Sequence, residues 1–149
     1  GFVRWPQEYL QGGRSIGVDE LNWLTIVVAA IMGFVVGGIW YGPIMGQRWL
    51  VAVGLTEEDV QNGSMAMIYG FAFVLSIIAS GMLAWLLSAF PNLEVLEKIL
   101  VALGIAAGFI VPAIGTNYLF SQKSRGLFLI DATYWLLFYL AMGAVHGLL

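Results

Sequence analysis

Leu21-Asn-Trp-Leu-Thr-Ile-Val-Val-Ala-Ala-Ile-Met-Gly-Phe-Val-Val-Gly-Gly-Ile-Trp-Tyr41 contains no charged side chain. As a helix it is long enough to cross a hydrocarbon layer of about 30 Å, which takes about 20 apolar residues. Trp23 near one end and Trp40-Tyr41 at the other carry the amphipathic rings that settle at headgroup depth. The rest of the chain repeats the pattern. No Asp, Glu, Lys or Arg occurs between Asp59 and Glu94, between Lys98 and Lys123, or after Asp131. A charge at mid-bilayer costs roughly 2.5–3.5 kcal/mol on insertion scales, so a spanning chain keeps its charges at the turns. The spacing predicts an all-α polytopic membrane protein, with four transmembrane helices in a compact antiparallel bundle. The spans fall at about 21–41, 64–90, 93–120 and 127–149. Residues 1–20 form a separate interfacial or disordered tail, in which Phe2, Trp5, Tyr9 and Leu10 suit the headgroup region.

Composition agrees. The chain has 149 residues, 60 % of them apolar, and a mean hydropathy of +0.89. Soluble domains carry roughly 45–50 %, so lipid must cover part of this surface. A net charge of −3 argues against nucleic acid as a partner, since that needs concentrated basic surface. There is no cysteine, which removes disulfides, thiolate ligands and thiol nucleophiles together. His146 is the one histidine, so no multi-histidine metal site forms within the chain.

The loops have their own signals. Asp19 or Asn22 is placed to cap the first span. Gly42-Pro43 is expected to break it. The segment 44–55 reads as an amphipathic stretch lying along the membrane surface, with Arg48 toward the headgroups. Thr56 followed by three acids reads as a helix start. Pro112, between Gly108 and Gly115, predicts a kink or local unwinding in the third span. The first and third loops share a face and carry Arg48, Lys123 and Arg125. The other face has Arg4, Arg14 and Lys98. The positive-inside rule leans toward cytoplasmic first and third loops with both termini outside, in the inner membrane.

Every span carries small residues four apart: Gly33 and Gly37, Ser76 and Ser80, Gly104 and Gly108, Gly143 and Gly147. Helices in lipid gain little from burying apolar surface against each other. They associate through close backbone approach, which this spacing permits. The seams suit packing within the chain, or binding of another membrane protein.

Asp131 is the charged residue that falls inside a span, and intramembrane ionisable groups are candidates for function. Asn117 and Asp131 are equidistant from Ser124, so an antiparallel pair sets them at similar depth. Tyr134 lies one turn further on the Asp131 face, and Tyr41 and Tyr69 reach the same leaflet. Tyr41, Tyr69, Asn117, Asp131 and Tyr134 thus form a candidate small-molecule or ion site. The alternative is structural: Asp131 sits near a helix N-terminus, where the dipole favours it, and could pair with Lys123 or Arg125. The opposite leaflet offers mainly Ser76, Ser80 and Ser88, which argues against a polar path across the membrane. His146, between Gly143 and Gly147, is a weak candidate ligand for a haem or pigment and is expected among the headgroups. No cofactor is expected beyond lipid. No hydrolase triad or phosphate-binding glycine loop is present, so the chain is not expected to be an enzyme.

Gly37-Gly-Ile-Trp-Tyr-Gly-Pro43, followed by Arg48-Trp49 and Gly54-Leu-Thr56, resembles a bacterial family of small membrane proteins catalogued as a domain of unknown function. The resemblance continues at Ile130-Asp-Ala-Thr-Tyr134 and Met142-Gly-Ala144 and covers about Asn22 to Leu149. It implies four spanning helices, with Trp-Tyr closing the first and the acid opening the last, and brings no activity, substrate or cofactor. The expected function is that of a non-enzymatic accessory subunit of a larger membrane complex, or of a homo-oligomer.

Overall fold

The computed structural model describes residues 21–149. The tail at 1–20, with its proposed interfacial aromatics, Arg4, Arg14 and the alternative cap Asp19, lies outside them. Among the described residues, four helices are long and apolar enough to cross a membrane: Trp23–Ile44, Met65–Ser88, Val95–Phe120 and Arg125–Leu148.

The first span starts where Asn22 caps it, its side chain accepting from the Thr25 N–H at 3.2 Å. Helix α1 (Trp23–Ile39) does not stop at Gly42-Pro43. A π-helical turn, Trp40–Ile44, carries the chain through the proline. Pro43 has no N–H to donate, and a shift to i→i−5 bonding lets the Met45 N–H reach the Trp40 carbonyl at 2.7 Å. The break expected from Gly-Pro comes only after Ile44. Helix α2 (Gly46–Val53) then runs with no buried residue and ends at Gly54, whose φ of 78° is the left-handed conformation that glycine adopts without strain. Helix α3 (Glu57–Asn62) opens on a capping box between Thr56 and Asp59.

Helix α4 (Met65–Ser88) is the second span. The third is α5 (Val95–Ile105), a π segment over Ala106–Ile110, and α6 (Val111–Phe120). Its irregularity precedes Pro112 by a turn, the place where the missing N–H must be accommodated. Helix α7 (Arg125–Leu148) is the fourth span, capped by the Ser124 hydroxyl, which accepts from the Leu127 N–H at 3.1 Å.

Helix α7 lies between α1 and α5, and α4 packs on the other side of α1. The core is built from small side chains with a few large ones: Ala29, Ala102, Ala106, Leu83, Leu87, Phe138, Tyr139 and Met142. Outward positions such as Ile31, Phe71, Leu75, Ile78 and Phe109 are apolar and exposed. Apolar outside and small inside is the pattern of helices that pack in lipid.

The small residues fall into two groups. The Phe138 ring lies directly on Gly33, and a Cβ at Gly37 would meet the Tyr134 ring at 3.2 Å. A Cβ at Gly143 would meet that of Ala102 at 2.8 Å, and one at Gly147 would meet Val95 at 3.0 Å. Ser76 and Ser80 are buried on α4. Gly104 and Gly108 differ: among the described residues, nothing beyond their own helix lies within 4 Å of a Cβ placed on either. Both face outward, and the inward pair on α5 is Ala102 and Ala106.

Candidate functional site

The polar residues of the last helix gather at two places. The first is Asp131, in the second turn of α7 and 8 % exposed. The π-turn at the end of α1 brings Tyr41 over it, and the Tyr41 hydroxyl donates to Oδ1 at 2.5 Å. The Tyr118 hydroxyl, on α6, donates to Oδ2. Both carboxyl oxygens thus accept from a tyrosine hydroxyl. Asp131 thereby joins the first, third and fourth spans. Beside it, Trp40 Nε1 donates to the Ile130 carbonyl at 3.1 Å, a second tie between the same ends of α1 and α7. Rings close over the cluster: Tyr41 and Tyr134 meet edge to face with centroids 4.9 Å apart, and Trp49 of α2 packs on Tyr41 at 5.8 Å.

Of the residues that the sequence groups together, the structure unites Tyr41, Asp131 and Tyr134. Tyr69 is 57 % exposed on the outer side of α4, where its ring meets Phe34 at 6.4 Å. Asn117 also faces outward. Its neighbour Tyr118 takes the inward position. Successive residues on a helix point about 100° apart, so matching depth is not enough to choose between them. The π segment upstream adds a further rotation that the sequence alone does not reveal. The signal that would have found Tyr118 is its own depth, since it pairs across the same turn as Asn117. Asp131 bonds to tyrosines, not to Lys123 or Arg125 as the structural alternative had it.

The second place is His146. It is 8 % exposed, turned into the bundle at the level of Val95 and Lys98, which the neighbouring Gly147 and Gly143 approach. The reason is a partner on α4: His146 Nε2 lies 3.0 Å from Ser80 Oγ. That hydroxyl donates to the Ile26 carbonyl at 2.8 Å. A serine has one hydroxyl proton, so when it goes to Ile26, His146 must donate from Nε2 to Ser80. The ring is then the Nε2–H tautomer, and the nitrogen nearest the bundle is already engaged. Three spans meet here as well: α1, α4 and α7. Among the described residues, no group of three His, Asp or Glu side chains is placed to hold a metal ion.

A sheath of apolar helices with small-residue contacts, and polar ties between helices at each end, defines an all-α polytopic membrane protein. The chain belongs to the family described as "Protein of unknown function (DUF1761)", whose pattern it matches over residues 24–147. No curated protein and no solved structure matches it.

Proposed function

We propose that the protein is a non-enzymatic subunit that works by lateral helix packing, joining a larger membrane complex or further copies of itself through the outer face of its third span. The observation that carries this is the contrast among the glycine pairs. Gly33–Gly37 and Gly143–Gly147 are filled by the chain's own side chains, and we read them as internal packing notches. Among the described residues nothing fills Gly104 and Gly108, nor Gly38 and Gly42 at the end of the first span, and of these two open pairs Gly104 and Gly108 lie at mid-span. The third span is also the least enclosed: 11 % of its most apolar window is buried, against 33 % for the fourth.

The backbone there supports the same reading. The Val111 N–H goes to the Ala106 carbonyl and Pro112 has no N–H, so the outward Ala107 carbonyl lacks its helical donor. Within hydrocarbon an unsatisfied carbonyl costs several kcal/mol. A hydroxyl, amide or indole on an adjoining helix would satisfy it. The rival reading, a ligand site around Asp131, has less support, because both carboxylate oxygens accept from tyrosines of the chain. A haem or pigment on His146 would have to displace Ser80 or use Nδ1. The cations Arg48, Lys123 and Arg125 favour the cytoplasm for the face that bears them.

Light scattering of the protein extracted in a gentle detergent tests the proposal. A particle well above the 16.2 kDa chain, or a co-purifying subunit, is expected. Gly108→Leu should release the single chain without unfolding it, whereas Leu75→Phe on the lipid-facing side of α4 should not. A monodisperse single chain with nothing bound would overturn it.

A further inference from the structure

A cleft of about 630 Å³ opens between the surface helix α2 and the first turns of α7. Trp40, Val51, Ala52, Leu129 and Ile130 form its walls, and Arg48 is the charged residue among those that line it. Three of its other polar side chains donate within the chain. Trp40 Nε1 donates to the Ile130 carbonyl at 3.1 Å, Thr133 Oγ1 to the Leu129 carbonyl at 2.8 Å, and Gln47 Nε2 to Glu57 at 2.9 Å. An apolar trough with a guanidinium at its edge remains. The volume suits a small-molecule pocket, but a water-soluble metabolite needs several convergent polar groups, and these mainly apolar walls have few to spare. An amphiphile matches both parts. The cleft lies at the end of the bundle that carries Arg48, Lys123 and Arg125, where basic side chains meet anionic headgroups.

We infer that the cleft is a specific phospholipid site, with the lipid phosphate on Arg48 and one acyl chain in the trough between α2 and α7. Guanidinium holds phosphate through paired, charge-assisted N–H bonds. The tail lies against Trp40 and Ile130, the pair that adjoins Tyr41 and Asp131, so an occupied cleft braces the Asp131 ties. The site is on a different part of the molecule from the Gly104–Gly108 face and does not depend on association there.

The test is native mass spectrometry of the protein released from nanodiscs of phosphatidylethanolamine and phosphatidylglycerol. One phospholipid per chain should persist after the loosely held lipid is stripped. Arg48→Gln should lower its retention about tenfold, as expected for losing a charge-assisted contact. Ala52→Trp, which fills the trough, should abolish retention. Both variants should keep the wild-type helical circular dichroism. If Ala52→Trp fails to fold, Val51→Trp at the 83 % exposed rim serves in its place. Millimolar inorganic phosphate should not displace the lipid, because the tail is held as well. No retained lipid on the folded wild type, equal retention in the variants, or displacement by inorganic phosphate would each overturn the inference.

Discussion

Asp131 shows how a charge is kept inside a membrane helix. Its carboxylate lies near the positive end of α7 and accepts from Tyr41 and Tyr118, so its lone pairs meet donors from two other spans. Asp131→Ala leaves both hydroxyls unpaired in a largely apolar site and should destabilise the fold by about 1–3 kcal/mol. Asp131→Asn can accept from one tyrosine and donate to the other, and should cost under about 1 kcal/mol. Tyr118→Phe should cost about 0.6–1.7 kcal/mol, the range of interhelical hydrogen bonds in membranes. Reversible unfolding in mixed micelles with rising dodecyl sulfate measures all three; an Asp131→Ala protein as stable as wild type would contradict this role. The importance of Asp131 was legible in the sequence, because an acid within a charge-free run stands out. Its companions were legible only in part. Depth follows from counting along the helices, but the face follows from helix rotation, and a π segment changes rotation without a composition signal. That is why Asn117 was chosen where Tyr118 serves. The partner of His146 is not legible for a related reason: Ser80, 66 residues away in the sequence, meets it only once α4 and α7 are packed.

At the scale of elements, a Cβ would meet side chains of a neighbouring helix at Gly33, Gly37, Gly143 and Gly147. The Phe138 ring occupies the space of a Cβ at Gly33, so Gly33→Ala must push α1 from α7 and should destabilise by about 1–3 kcal/mol. Gly38→Ala, where the same atom meets open space, should be neutral or stabilise by up to about 1 kcal/mol, the difference in helix propensity. The same unfolding assay checks the pair, and equal losses would sink the distinction. The short helix α3 depends on its cap. The Thr56 N–H donates to Asp59 Oδ2 at 2.9 Å and the Asp59 N–H to Thr56 Oγ1 at 3.1 Å. These bonds hold the Asp59 carboxyl below its ordinary value of 3.8. A depressed folded pKa means the stabilisation is complete above the unfolded value and is lost as pH falls through the folded one. The protection factors of the Asp59 and Thr56 amides, taken against the intrinsic exchange rate at each pH, should therefore be highest at neutral pH and fall in acid, and Asp59→Asn should flatten that dependence. Thr56 and its acids announced this helix in the sequence. The passage of α1 through Pro43 was not announced, since proline marks only the missing donor and tertiary contacts with α7 decide whether the chain turns or continues.

For the whole molecule, charge spacing alone places four spans, because the cost of charge in hydrocarbon leaves few alternatives. The arrangement of those spans was not readable, as all four carry small residues four apart. The structure sorts them: the Gly33–Gly37, Ser76–Ser80 and Gly143–Gly147 seams are turned toward the chain's own helices, and Gly104–Gly108, on the third span, is turned outward. Lateral association through that face is the central claim. The chain lacks cysteine, so a single introduced thiol reports on its own surroundings. The decisive measurement is oxidative or bis-maleimide cross-linking of Gly104→Cys in native membranes, compared with Phe71→Cys on the lipid-facing side of α4. A discrete adduct, either a dimer of the chain or a link to one other membrane protein, is expected from Gly104→Cys and none from Phe71→Cys. Equal, diffuse cross-linking from the two positions, or none from Gly104→Cys, would contradict it.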